Sequence, residues 1–288
     1  MHRHTLKGPA ILHGTGLFTG APAEAAILPA RSGGVRFAVG GEAIPAVVAS
    51  VPTDPSRTPF PSGVAARNTT LAGSRAIAAT IEHVMSAIAG LGITDAIIEL
   101  RGPELPMFDG SAEPIVDAIS AAGGLLQLSD TVTPIVPREM VLVEGAGGSS
   151  IRIEPRSSPG CSYAYTLDYA GKAGIRRQTA SWDGRAATYQ VEVAPARTFC
   201  LASEALALRE RGLFRHVTPK EMLVLDDATG APLENDLRFE NEPARHKLLD
   251  LIGDLALVGS PIQADIFAER SGHALAHEAC RKLLASMA

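Results

Sequence analysis

Apolar residues in the first third of the chain come in short runs cut by Gly and Pro. HTLKGPAILHGTGLFTG and AEAAILPA read as strands joined by a turn, and GVRFAV and AIPAVVASV as two further strands. TDPSRTPFPSG, residues 53–63, is dense in Pro and Ser and reads as a loop. The pattern then changes period. AIAATIEHVMSAIAGLG predicts a helix closed by Gly, DAIIELRG a strand, and SAEPIVDAISAAGG a helix with a Ser cap and a Gly pair at its end.

LQLSDTVTPIVPREM, residues 126–140, is a Pro-punctuated connection and the expected domain boundary. It divides the chain into an N-terminal domain over 1–128 and a C-terminal domain over 129–288. Beyond it MVLVEG, SIRIEPR, SYAYTLDY and ATYQVEV read as strands, ASEALALRERGL as a helix and MLVLDD as a strand. RHKLLDLIGDLALVG predicts a helix, PIQADIFAERSG a strand, and HALAHEACRKLLASM a last helix. Strands and helices recur in both halves without strict alternation, which gives an α+β class rather than a doubly wound parallel sheet.

Composition adds bounds. A chain of 288 residues can bury a real core, and its net charge of −5 gives no reason to expect nucleic acid as a partner. Cys161, Cys200 and Cys280 are odd in number and scattered, which argues against a disulfide framework. The opening MHRHTLKGPAILHGTG lacks the apolar run of a signal peptide, and no stretch approaches the ~20 apolar residues of a membrane span. A cytoplasmic protein, monomeric, is the expectation.

The chemistry concentrates in RHKLLDLIGD. His246, Asp250 and Asp254 stand four residues apart on one face of an otherwise Leu/Ile-rich helix. Buried carboxylates need pairing, hydrogen bonds or metal. His246 and Asp250 at i, i+4 can point at one ion, and three protein ligands plus a water is the usual catalytic zinc arrangement. His83 in TIEHV offers a third ligand, although a helix histidine is more often a core or cap residue. Glu82 beside it would stand where a general base must sit, or be a solvated helix charge. His273 follows a Ser-Gly turn at a helix start, where capping and catalysis are both open readings. Thr198 in PARTFC could be a plain strand residue. His2, His4, His13, His216 and His277 show no partner spacing and read as surface residues. No G-x-S-x-G elbow, H-E-x-x-H or Walker A loop occurs, and GTGLFTG misses the dinucleotide fingerprint by one place at Gly20.

TIEHVMSAIAGLGI, ELPMFDGSAEPIV, ARTF, LRFENEPARHKLLDLIGD and SGHAL occur in that order over nearly the whole chain. Together they resemble the zinc-dependent UDP-3-O-acyl-N-acetylglucosamine deacetylases of lipid A biosynthesis. The resemblance implies zinc on His83, His246 and Asp250, with Glu82 as general base. It implies His273 as the group that stabilises the oxyanion and assists departure of the amine, Asp254 as the carboxylate orienting it, and Thr198 as an oxyanion-side hydroxyl. Lys247 and Arg270 match positions where basic residues meet the substrate and its diphosphate, Arg270 in place of a common lysine, and Phe199 of ARTF is read with them. It also implies two domains, each a sheet with a helix pair, whose helix layers face each other across the active site.

Two departures stand out. Phe18 occupies the place of a histidine in the family's GLHTG-type turn, and FRHVTPKEM replaces a Gly-Gly-Ser segment followed by an Asp-Asn pair. Both are expected to alter substrate binding while leaving hydrolysis intact, so weak activity on the family's usual substrate is anticipated. A related zinc amidohydrolase acting on another N-acyl amino sugar is the first alternative. Two-His-one-carboxylate sets also bind Fe(II) in oxygenases, and a non-catalytic metal-binding protein is a third reading. Neither of these has a use for Glu82 or for the Asp254/His273 pair.

Overall fold

The computed structural model describes residues 1–54, 56–60, 67–171, 174–218 and 222–287. The first part of the chain runs β1 (His2–Leu6), β2 (Ala10–Thr15), β3 (Pro22–Pro29), β4 (Val35–Val39), β5 (Glu42–Pro45), β6 (Thr70–Ala72), β7 (Ile77–Ala79), α1 (Glu82–Leu91), β8 (Ala96–Arg101), α2 (Glu113–Ala121) and β9 (Leu125–Thr131). It continues through β10 (Val141–Glu144), β11 (Ser150–Pro155), β12 (Ser162–Leu167), β13 (Gln178–Trp182) and α3 (Ala186–Thr188), which passes into a π-helical turn over Tyr189–Val193. The remainder is β14 (Phe199–Leu201), α4 (Ala202–Glu210), β15 (Leu223–Leu225), β16 (Pro232–Leu233), α5 (Glu242–Leu255), β17 (Ala264–Glu269) and α6 (His273–Ala285).

Two five-stranded sheets share one pattern. The first has the order β2-β3-β8-β4-β5 and the second β10-β11-β17-β12-β13. In each, the one parallel pair joins the strand that follows a helix to the third strand of the set, and all other pairs are antiparallel. α1 therefore corresponds to α5 and α2 to α6, each helix pair flanking the last strand of its sheet. This is an α+β architecture, and the relation between halves that no sequence repeat reveals is visible in the strand order. Between fourth strand and first helix each half carries an insertion, the β6/β7 hairpin in one and the β14-β15-β16 sheet with α4 in the other.

α1 packs against α5, and α5 also contacts α6, β12 and β13. Leu248, Leu249, Leu251, Ile252 and Leu255 of α5 are all buried, as the Leu/Ile pattern requires. Close approach of the two helices depends on Gly253, where a Cβ would fall 2.0 Å from the Glu82 carbonyl oxygen.

Several elements differ from the pattern. The helix expected over AIAATIEHV starts only at Glu82, because Thr80 has φ +58° and cannot continue a right-handed helix. Its hydroxyl donates to Glu104 Oε1 (2.9 Å) and accepts from Asn68 Nδ2 (3.0 Å), which helps hold that backbone, and Ile77–Ala79 is a strand. ATYQVEV is helical, not a strand: Tyr189 and Val193, four apart, are fully buried, while Val191 is 64% exposed. AIPAVVASV leaves extended geometry after Pro45 for a 3₁₀ turn over Val48–Ser50. LQLSDT belongs to β9, paired with β1, so the Pro-punctuated connection begins after residue 131. α2 has Ala112 at its N-cap, with Ser111 Oγ accepting from the Glu113 amide at 3.3 Å. Part of the 53–63 loop, and Pro219, Lys220 and Glu221 of HVTPKEM, lie outside the described residues.

Candidate metal centre and active site

α1 contributes Glu82 and His83 from its first turn, and α5 contributes His246, Asp250 and Asp254 from one face. All five are buried in the contact between the helices. Nε2 of His83 lies 3.6 Å, and Nε2 of His246 3.4 Å, from the same atom, Asp250 Oδ1. The three side chains offer donor atoms all within 4.8 Å of one another.

The hydrogen bonds leave that trio free to bind. His246 Nδ1 faces the Ala196 carbonyl at 3.1 Å, so it carries the proton and Nε2 keeps its lone pair. Burial pushes the His246 imidazole down to about 3, which keeps it neutral as a ligand must be. Asp250 Oδ2 accepts from Lys247 Nζ at 2.7 Å, while Asp250 Oδ1 is buried without a hydrogen-bond partner. Burial opposes the Asp250 charge, yet Lys247, His246 and His83 hold its carboxyl well below the usual range. An orphaned carboxylate oxygen between two imidazoles is costly by itself and fits a divalent cation.

Beside the trio stand the acid–base candidates. Burial raises the Glu82 carboxyl against the attraction of His273 and His83. Its Oε2 accepts the Thr69 amide at 3.0 Å. His273, the first residue of α6, donates Nδ1–H to Asp254 Oδ2 at 2.8 Å, leaving Nε2 free. Burial works against a charged His273, but the charge and hydrogen bond of Asp254 outweigh it, with Glu82 and Asp250 adding, and the imidazole is held up at about 9. Asp254 is correspondingly held below the usual carboxylate range despite its burial.

A cavity of about 730 Å³ opens onto these groups. Thr198, Phe199, Lys247 and Arg270 line it together with Glu82, His83, His246, Asp250 and His273. Thr198 is fixed by its backbone, its N–H donating to Gly110 O (2.8 Å) and its carbonyl accepting from Leu223 N (2.9 Å). The preceding residue, Arg197, is buried and pairs with Glu242 in the first turn of α5, Nε to Oε1 at 2.9 Å, which ties the ARTF segment to that helix. Lys247 is committed to Asp250, and Arg270 pairs with Asp168. Phe18 also lines the cavity, packed between Phe60 and Phe214 at centroid distances of 4.9 and 5.4 Å.

Of the residues expected on the surface, His277 is not there. It is 7% exposed, with Nε2 3.0 Å from Thr69 Oγ1 and 3.7 Å from Asp254 Oδ1. Its spacing from His273, i to i+4 on α6, is the signal that had singled out His246 and Asp250. Thr69 carried no such signal, since nothing in ARNTTLAG marks one threonine over its neighbour.

A model of the family described as UDP-3-O-acyl N-acetylglycosamine deacetylase (LpxC) matches residues 3–285. The chain is similar to proteins named UDP-3-O-acyl-N-acetylglucosamine deacetylase from several bacteria. One from Cellvibrio japonicus is 34% identical, with 99% of this chain and 90% of the relative covered. One from a Nostoc species is 32% identical over 99% of both chains, and one from Chlamydia muridarum 33% identical over 94% of this chain and 91% of its own. Among the described residues no helix is long and apolar enough to cross a membrane.

Proposed function

Since the chain belongs to the UDP-3-O-acyl N-acetylglycosamine deacetylase (LpxC) family, we propose that it hydrolyses the N-acetyl group of a UDP-3-O-acyl-N-acetylglucosamine, releasing acetate and the free amine. The observation that carries this reading is the unpartnered Asp250 Oδ1 between His83 and His246, with Glu82 beside it. We assign the three as zinc ligands, on a chain whose halves divide near residue 128 with the site between their helix layers. Zinc, when bound, supplies a Lewis acid that polarises the amide carbonyl and lowers the pKa of its water towards ~7.

The side chains do the rest. Glu82, aimed by the Thr69 amide and raised in pKa by burial, takes the proton of the attacking water. The Thr198 hydroxyl and protonated His273 receive the charge that develops on the carbonyl oxygen. His273 then delivers its Nε2 proton to the departing nitrogen, and Asp254 keeps the ring in the tautomer that makes this possible. Lys247 steadies Asp250, and Lys247, Arg270 and Phe199 meet the substrate where they line the cavity.

The test is mass-spectrometric detection of acetate and free amine from 3-O-acylated UDP-N-acetylglucosamine. Activity should vanish with a chelator and return with zinc. Retention of full activity in metal-stripped protein would overturn the reading.

A further inference from the structure

Thr69 touches both halves of the acid–base machinery. Its amide donates to Glu82 Oε2 at 3.0 Å, and its hydroxyl lies 2.5 Å from Asp254 Oδ1. The same hydroxyl is 3.0 Å from His277 Nε2 and 3.4 Å from His273 Nδ1. Thr69 is 1% exposed, so no water competes for these contacts.

Proton counting orders the group. A hydroxyl has one proton to give and two lone pairs. Asp254 is held ionised by His273 and can only accept, so the Thr69 proton goes to Asp254 Oδ1. His273 Nδ1 has spent its proton on Asp254 Oδ2. His277 must then donate Nε2–H to the Thr69 oxygen. The result is a directed chain, His277 to Thr69 to Asp254, with His273 on the other carboxylate oxygen and Glu82 on the backbone of Thr69.

We propose that Thr69 is a positioning residue that holds Asp254 and Glu82 in fixed relation, and that His277 is the donor that fixes the Thr69 hydroxyl. Neither touches the reacting atoms. Thr69 reaches Asp254 from the strand edge before β6, while Asp254 and His277 come from α5 and α6. One side chain thus registers the first half of the molecule against the second at the point where proton transfers occur. The charged groups facing His273 are Asp254 and Asp250 of α5 and Glu82 of α1, with His277 one turn along its own helix.

This inference rests on the proposed deacetylase reading, and its test separates the two. Thr69→Val keeps the shape and the amide but removes the hydroxyl. With zinc content and melting temperature measured on the same samples, kcat should fall about 10–100-fold, the usual effect of losing a group that orients a catalytic residue, while KM stays within a few-fold. Thr69→Ser should restore most of the rate. His277→Leu should mimic Thr69→Val, and His277→Gln, whose amide nitrogen reaches as far as Nε2, should retain more. An NMR titration of the His273 imidazole needs no turnover: without the Thr69 donor Asp254 is the more basic carboxylate, so the His273 titration should move upward in Thr69→Val. Unchanged kcat with an unmoved His273 titration would overturn the proposal. So would a loss in Thr69→Val that serine fails to restore or that follows lost zinc or a lowered melting temperature. If wild-type protein released no acetate, the deacetylase reading would fall, and the titration alone would still decide whether Thr69 positions the pair.

Discussion

Six side chains are assigned to the metal and acid–base chemistry, and each can be interrogated alone. His246→Ala or Asp250→Ala should strip bound zinc, read as metal content after gel filtration; undiminished zinc in both would remove the ligand assignment. Glu82→Gln should keep zinc yet lose ~10²–10⁴ in kcat, the range for a positioned base. pH supplies another handle. His273 is held at about 9 in the folded protein against an ordinary 6.5, so it binds its proton more tightly folded than unfolded. That stabilisation is complete below about pH 6.5 and disappears as pH rises through about 9, on the order of 3 kcal/mol at most. Denaturant unfolding of chelated wild-type protein should therefore show stability falling between these limits, and His273→Ala should flatten the slope. Equal slopes in both would mean that the Asp254 pair does not hold the proton.

α1 and α5 meet so closely that the helix contact itself is part of the site. Gly253→Ala puts a methyl against the Glu82 carbonyl, and backbone cannot yield as a side chain tip can. The cost should be about 1–3 kcal/mol, as for other overpacked positions, with disproportionate loss of zinc affinity because the displaced turn carries His83. A variant with wild-type metal content would show that the helices have slack. Arg197→Ala should cost more, about 3–5 kcal/mol by urea unfolding, since it leaves Glu242 buried without its partner. These elements were largely legible in the sequence: i, i+4 spacing placed His246 and Asp250 on one face, and the apolar pattern of α5 demanded a buried helix. The start of α1 was not legible, because Thr80 breaks the pattern by a left-handed backbone held by Asn68 and Glu104, residues distant from the helix pattern itself. The helical YQVEV was not legible either, since Tyr, Val and Val at alternate positions fit both periods until burial separates them. His277 is open to the same spacing argument as His246, through His273 four residues before it, whereas Thr69 becomes visible only once α5 and α6 are placed against it.

Across the whole molecule, one apolar cluster joins the turn after β2 to the insertion between β14 and β15. Leu17, Phe18, Phe60, Met107, Leu213, Phe214, Val217 and Met222 are buried in it, and His216 Nε2 lies 3.0 Å from the Gly16 carbonyl. Glu104, accepting from the Phe18 and Thr19 amides, fixes the turn from beneath. The packing around Phe18 does not favour a histidine there. Phe18 is 6% exposed within an aromatic packing, and an imidazole there would be buried without a partner, at about 1–3 kcal/mol. Phe18→His should thus lower the melting temperature and not raise kcat/KM. Of this cluster and the residues packed on it, Leu17, Phe18, Met107, Leu208, Phe214 and Met222 line the same cavity as Lys247 and Arg270. If an acyl chain on a substrate whose sugar nitrogen reaches His273 runs towards Phe18 and Phe214, those two rings limit the length that fits. Phe18→Leu and Phe214→Leu should shift kcat/KM towards longer 3-O-acyl chains, by roughly tenfold or more for each added methylene the wild-type wall excludes. The measurement is kcat/KM across a series of acyl lengths, with zinc content as control. An unchanged length preference in both variants would mean that the acyl chain leaves the cavity by another route, and that Phe18 and Phe214 only join the two halves.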